Sequence, residues 1–154
     1  MRAPRFQRSR RGERRASGSS RRPVRGERAL GYVTVSGPGE DGKVELRAQA
    51  ERISKACREL ELSLIQLVVD VEDARSPLDR PGAKRLFERL AAGEASCVVV
   101  TTLGWLVSCP DDWRLLRERV DTNVVRLIAI DIGLDTTAEP EVWTGAGDPP
   151  GALR

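Results

Sequence analysis

The 154-residue sequence contains no histidine. A Ser-His-Asp hydrolase is therefore excluded, and so is any zinc site that relies on imidazole. Cysteine is scarce: Cys57, Cys97 and Cys109 are odd in number and widely spaced. They read as reduced, mostly buried thiols of a cytosolic protein, and neither a disulfide framework nor a metal centre. No apolar run is suited to a signal peptide or a membrane span. Among residues 2–28, Phe6 and Val24 are the hydrophobes larger than alanine. Such a segment cannot bury enough apolar surface to offset its ordering entropy, and it is expected to be disordered.

What that segment has instead is arginine. Residues 1–28 hold eleven arginines against Glu13 and Glu27, a net charge of +9, while residues 29–154 carry fifteen Lys or Arg against twenty-one acidic residues, a net of −6. The overall +3 hides this asymmetry. Arg8, Arg10, Arg11, Arg14, Arg15, Arg21, Arg22 and Arg25 are the candidate DNA contacts, because guanidinium groups bind phosphates through charge and bidentate hydrogen bonds. A solubilising or targeting extension of the same composition stays open.

The body alternates strand and helix. Leu30–Ser36 is a first strand, followed by a helix over Val44–Glu61 with Leu46, Ala50, Ile53, Cys57 and Leu60 on one face. Leu64–Asp70 is nearly all apolar, as in a parallel strand covered on both faces. Asp79 can cap the next helix, Pro81 lies in its first turn, Ala83, Leu86, Phe87 and Leu90 face the core, and Gly93 ends it. Ser96–Thr102 is a third strand, Pro110–Val120 a helix with Trp113, Leu116 and Val120 on one face, and Asn123–Asp131 a fourth strand. This alternation predicts an α/β fold: a mainly parallel central sheet with helices on both faces, a three-layer sandwich. The layout expected is a tail over 1–28, one domain over 29–137 and a loose C-terminal tail over 138–154.

Open α/β sheets place their chemistry at the carboxyl ends of the strands. Ser36, Asp70, Thr101-Thr102 and Asp131 all fall on that edge. Gly37-Pro38-Gly39 after Ser36 is neither a dinucleotide fingerprint nor a P-loop. Ser36 can be a nucleophile or simply the first residue of a turn.

From Ala29 to Thr137 the chain resembles the catalytic domain of serine recombinases, the resolvase/invertase family. The resemblance lies in Gly31-Tyr32-Val33-Thr34-Val35-Ser36, in Leu46-Arg47-Ala48-Gln49, and in Leu78-Asp79-Arg80-Pro81-Gly82. It continues through Val98-Val99-Val100 and Ile130-Asp131-Ile132-Gly133-Leu134-Asp135-Thr136-Thr137. It implies a resolvase-like three-layer sandwich. It also implies a serine that attacks a DNA phosphodiester to form a 5′-phosphoserine link, without metal or cofactor, with arginines holding the phosphate. Ser36 then matches the nucleophile, Arg80 a phosphate-binding arginine, and Gln49 a polar active-site position. The supporting carboxylate is Asp70 or Asp73. The match does not reach the long interface helix or the separate DNA-binding domain of such recombinases, which argues against their usual tetramer.

The departures fall on the arginines. Thr34 stands where the family usually has arginine two residues before the serine. Leu103-Gly104-Trp105-Leu106-Val107-Ser108 stands where it reads Leu-Asp-Arg-Leu-x-Arg. Three of four phosphate-facing arginines are thus missing, although Arg75, Arg114 or Arg117 could replace them. The favoured reading is a cytoplasmic, nucleoid-associated protein that contacts DNA backbone through its tail, with impaired or absent strand exchange. It would pair with itself or with recombinase-like subunits, away from membranes. An active recombinase or nickase is the alternative, and whether the chain is an enzyme stays open. A third reading is a protein-interaction module whose acidic body binds a basic partner.

Overall fold

The computed structural model describes residues 26–138. The arginines from Arg8 to Arg25 and the segment after Ala138 lie outside the described residues. In chain order the elements are β1 (Arg28–Val35), α1 (Glu40–Glu59), β2 (Ser63–Val71), α2 (Pro81–Ala91), β3 (Cys97–Val100), α3 (Pro110–Asn123), β4 (Arg126–Ala129) and β5 (Leu134–Asp135). Short 3₁₀ turns cover Pro77–Asp79, Leu103–Trp105 and Ile130–Ile132. The strands form one sheet in the order β2-β1-β3-β4-β5, parallel except for β5.

Strand alternation sends successive side chains to opposite faces, and two cores result. Leu30, Tyr32, Val98, Val100 and Leu127 pack with Leu86, Phe87 and Leu90 of α2 and with Trp113, Leu116 and Val120 of α3. Ala29, Val33, Val35, Cys97, Val99 and Ile128 pack with Ile53 and Cys57 of α1 on the other face. This is the expected three-layer α/β sandwich. Because β1 connects outward to β2 on one side and pairs with β3 on the other, the strand order reverses beside β1, where ligands bind in such sheets.

Several expectations change in detail. Helix α1 starts at Glu40, not Val44, so the turn after Ser36 is only a few residues long. Its acidic first turn, Glu40 and Asp41, suits the positive end of a helix dipole. Gly42 is there for space: a Cβ would lie 1.9 Å from the Gly37 carbonyl oxygen, so the helix presses directly on the turn. Leu60 falls beyond the helix and is exposed. Strand β2 is an edge strand: Val68 is buried in the α2/α3 core and Leu67 and Val69 pack against the α1 side, so both faces are covered, though less completely than in the inner strands. Cys57 and Cys97 are buried, and burial pushes both thiols up, but Cys109 is exposed. Helix α3 runs on to Asn123, so β4 begins only at Arg126.

One end of the sheet carries a buried ion network. The Arg126 guanidinium donates to Asp135 Oδ2 at 2.7 Å and to Glu27 Oε1 at 3.3 Å. Ser96 Oγ donates to Glu27 Oε2 at 2.6 Å. Arg126 is held well above its ordinary range, chiefly by the hydrogen bonds it donates to Asp135 and against the cost of burial. Glu27 and Arg28 are therefore part of the folded body.

Candidate functional site

Ser36 follows the last residue of β1, exposed at the carboxyl edge of the sheet. Its hydroxyl donates to Glu45 Oε1 at 2.6 Å, and its backbone N–H donates to the same oxygen at 3.1 Å. Glu45 lies in the second turn of α1. The two hydrogen bonds from Ser36 hold its carboxyl below the usual carboxylate range. Sequence spacing does not single out Glu45, because its place over Ser36 depends on α1 starting at Glu40.

Gln49, one turn further along α1, is buried and donates from Nε2 to the Thr34 carbonyl oxygen at 2.8 Å. Its Oε1 accepts from Thr101 Oγ1 at 3.4 Å. Gln49 thus ties α1 to the ends of β1 and β3, two residues before the serine. Thr34 is fully buried, so the position that the family fills with arginine is a short neutral side chain inside the sheet.

The two candidate carboxylates have different surroundings. Asp70, buried in β2 and paired in register with Thr34, accepts from Tyr32 OH at 2.7 Å, from Gly82 N at 2.7 Å and from Ala83 N at 2.9 Å. It therefore caps the amino terminus of α2 from the carboxyl-terminal end of β2. This corrects the expectation for Asp79, which sits in a 3₁₀ turn while Arg80 occupies the N-cap position without a side-chain cap. Gly82 is required by the same contact, since a Cβ would lie 2.6 Å from Asp70 Oδ1. Burial, aided by Asp70, raises the Tyr32 phenol to about 12, so it stays a neutral donor.

Asp73 faces Arg80. Its Oδ1 lies 3.6 Å from Arg80 Nε, and its carbonyl oxygen accepts from Arg80 Nη2 at 3.5 Å. Both contacts are long, and Arg80 Nε has no hydrogen bond although the side chain is only 7% exposed. A buried guanidinium this loosely held has donor capacity left for an anion. Asp73 is pulled below its usual range, first by the Arg75 backbone N–H and further by the Arg75 and Arg80 charges.

The possible replacement arginines have partners of their own. Arg75 is bound to Asp73 at 2.8 Å, and Arg114 to Asp111. Trp105 is partly buried and packs against the α2/α3 core. Its indole Nε1 is buried without a hydrogen bond. The loops around the site are pinned by two aspartates. Asp112 accepts from Ser76 Oγ, Ser108 N and Ser108 Oγ, and Asp131 Oδ1 accepts from Leu103 N.

A family model described as the resolvase N-terminal domain matches residues 29–142. The chain belongs to that family. This resolvase-type domain is similar in structure to the N-terminal catalytic domain of TP901-1 integrase, with a TM-score of 0.60 and 21% identity over 72% of this chain and 82% of that one. It is similar also to a resolvase family site-specific recombinase from Streptococcus pneumoniae, with a TM-score of 0.60 and 19% identity over 72% and 76% of the two chains. The catalytic domain of ISC1926 TnpA, an IS607-like serine recombinase, gives a TM-score of 0.56 and 21% identity, covering 67% of each chain. No curated protein matches the chain. At these identities the structural neighbours establish the resolvase-like fold. Among the described residues of the domain, no helix is long and apolar enough to cross a membrane.

Proposed function

We propose that this resolvase-type domain is a DNA-associated protein of reduced strand-exchange capacity, anchored to the duplex by its basic N-terminal segment. The observation that carries the reading is the charge around Ser36. Arg80 is buried with spare donors, but Thr34 and Trp105 are neutral where the family has arginine, and Glu45 and Asp73 add negative charge. Phosphoryl transfer depends on positioning and on cations that stabilise the transition state. Loss of one such donor costs about 2.7–4 kcal/mol, and three losses, even strongly non-additive ones, amount to roughly a million-fold in rate.

In this reading Ser36 is the residual nucleophile, Arg80 holds a phosphate, Gln49 and Asp70 support the site, and Asp73 balances Arg80. Residues 1–25, with ten arginines and Glu13, supply the long-range attraction to DNA that a body of net negative charge lacks. The domain would work in the cytoplasm near the nucleoid, alone or with recombinase-like subunits.

Two experiments test this. Supercoiled plasmid incubated with wild type and with Ser36→Ala should show no difference in nicking or relaxation. A covalent DNA adduct at Ser36 would instead support an active recombinase or nickase. Duplex binding should fall steeply with salt, by about 10³-fold or more between 50 and 200 mM if six phosphates are contacted. Removing residues 1–25, which spares Glu27 and β1, should abolish most of that binding. A truncated body that binds as tightly as the full chain would overturn the tail's role. Salt-independent binding to a basic protein, without DNA affinity, would favour the interaction module.

A further inference from the structure

We infer that Glu45 is the proton acceptor of Ser36, so that the chain carries a serine–glutamate pair at the carboxyl edge of β1. The inference rests on the reading of Ser36 as the reacting hydroxyl. Glu45 Oε1 receives both the Ser36 hydroxyl, at 2.6 Å, and the Ser36 backbone N–H, at 3.1 Å. One oxygen thus fixes the direction of the O–H bond and leaves the Oγ lone pairs pointing away from the carboxylate, toward the open side of the exposed serine. The pair is built into the fold. Gly42 brings the first turn of α1 against the Gly37 carbonyl, and Lys43 N donates to Gly39 O at 3.1 Å, which seats Glu45 over the turn that holds Ser36.

A carboxylate that accepts a hydroxyl proton is a workable base for phosphoryl transfer, where bond-making to the nucleophile lags behind bond-breaking. On a DNA phosphodiester, Ser36 Oγ would form a bond to phosphorus while its proton moves to Glu45 Oε1. The P–O3′ bond breaks, the 3′ oxygen leaves with the electron pair and takes a proton from water, and Glu45 returns its proton to solvent. What the chain lacks is then charge stabilisation of the phosphate, while activation of the nucleophile is retained.

A fluorophosphonate separates these two properties, because it delivers a neutral phosphoryl electrophile that requires no arginine cluster and no DNA. Ser36 Oγ attacks phosphorus, fluoride leaves with the bonding pair, and the proton passes to Glu45. The full chain is treated with the probe and labelling at Ser36 is followed by mass spectrometry in wild type, S36A and E45Q. The E45Q side chain keeps an acceptor oxygen for both Ser36 hydrogen bonds but has no useful basicity, so a purely structural role predicts unchanged labelling. A thermal melt confirms that E45Q folds. The expected result is labelling of wild type at Ser36, none at that position in S36A, and a fall of about 100-fold in E45Q, within the range of general-base contributions. Labelling of E45Q within threefold of wild type overturns the role of Glu45 while leaving Ser36 as a nucleophile. Ser36 labelling no faster than that of the other serines overturns the reading of Ser36 itself.

Discussion

Replacing Asp70 by alanine tests whether this carboxylate belongs to the scaffold or to the chemistry. The side chain is 5% exposed and accepts three hydrogen bonds, from Tyr32 OH, Gly82 N and Ala83 N. Asp70→Ala removes the cap of α2, a loss of about 0.5–2 kcal/mol. It also strands the buried Tyr32 hydroxyl, at about 1–3 kcal/mol. Because the two effects share one site they do not simply add, and a total of about 2–4 kcal/mol is expected. In a domain of this size that lowers Tm by roughly 10 °C. Urea unfolding followed by circular dichroism reads the difference directly. Repeating the substitution in a Tyr32→Phe background should reduce its cost, since no hydroxyl is then left without a partner. A cost below about 0.5 kcal/mol, the range of surface substitutions, would refute the capping role. Asp70 would then be free to act on a substrate beside Arg80.

Three further outcomes follow from the packing and the charges. Leu90→Ala on the core face of α2, where Leu90 is 4% exposed, should cost about 2–5 kcal/mol in urea unfolding; a value under about 0.5 would mean that the helix is turned the other way. Arg126→Ala leaves the carboxylates of Glu27 and Asp135 without their shared cation and should cost about 3–5 kcal/mol in thermal unfolding, with a cost below 1 kcal/mol counting against the network. Burial works to raise the Asp112 carboxyl, but hydrogen bonds from Ser108 and Ser76 outweigh it and hold the group below its ordinary value of 3.8. A depressed folded-state value means that Asp112 contributes stability above its unfolded value and loses it as pH falls through the lower folded one. The deficit of Asp112→Asn against wild type, measured by urea midpoints, should therefore be full at neutral pH and shrink below pH 3.8; a deficit constant into strong acid would contradict this.

The layers of the fold were legible because they rest on local spacing. Ala83, Leu86, Phe87 and Leu90, and likewise Trp113, Leu116 and Val120, recur at helical intervals and all reach the core. The start of α1 was not legible, because its first turn is Glu40, Asp41 and Gly42 after Gly37-Pro38-Gly39, and such residues read as a continued turn. Arg126 was hidden inside an apparently apolar strand, since its partners lie 99 and 9 residues away.

The same limit governs the site. Strand spacing identifies Ser36 and Asp70 as residues of the carboxyl edge, and the family resemblance adds Gln49 and Arg80. Neither can say which of them are already occupied, because occupation depends on contacts between distant segments. Asp79 is the nearest acid to the start of α2, yet the cap comes from Asp70, twelve residues before Gly82, because the end of β2 lies against the first turn of α2. Asp70 is committed to α2 and Glu45 to Ser36, while Asp73 is held by Arg75 at 2.8 Å and meets Arg80 only at 3.6 Å. A phosphate that reached Arg80 would compete only with its two long contacts to Asp73, at 3.6 and 3.5 Å.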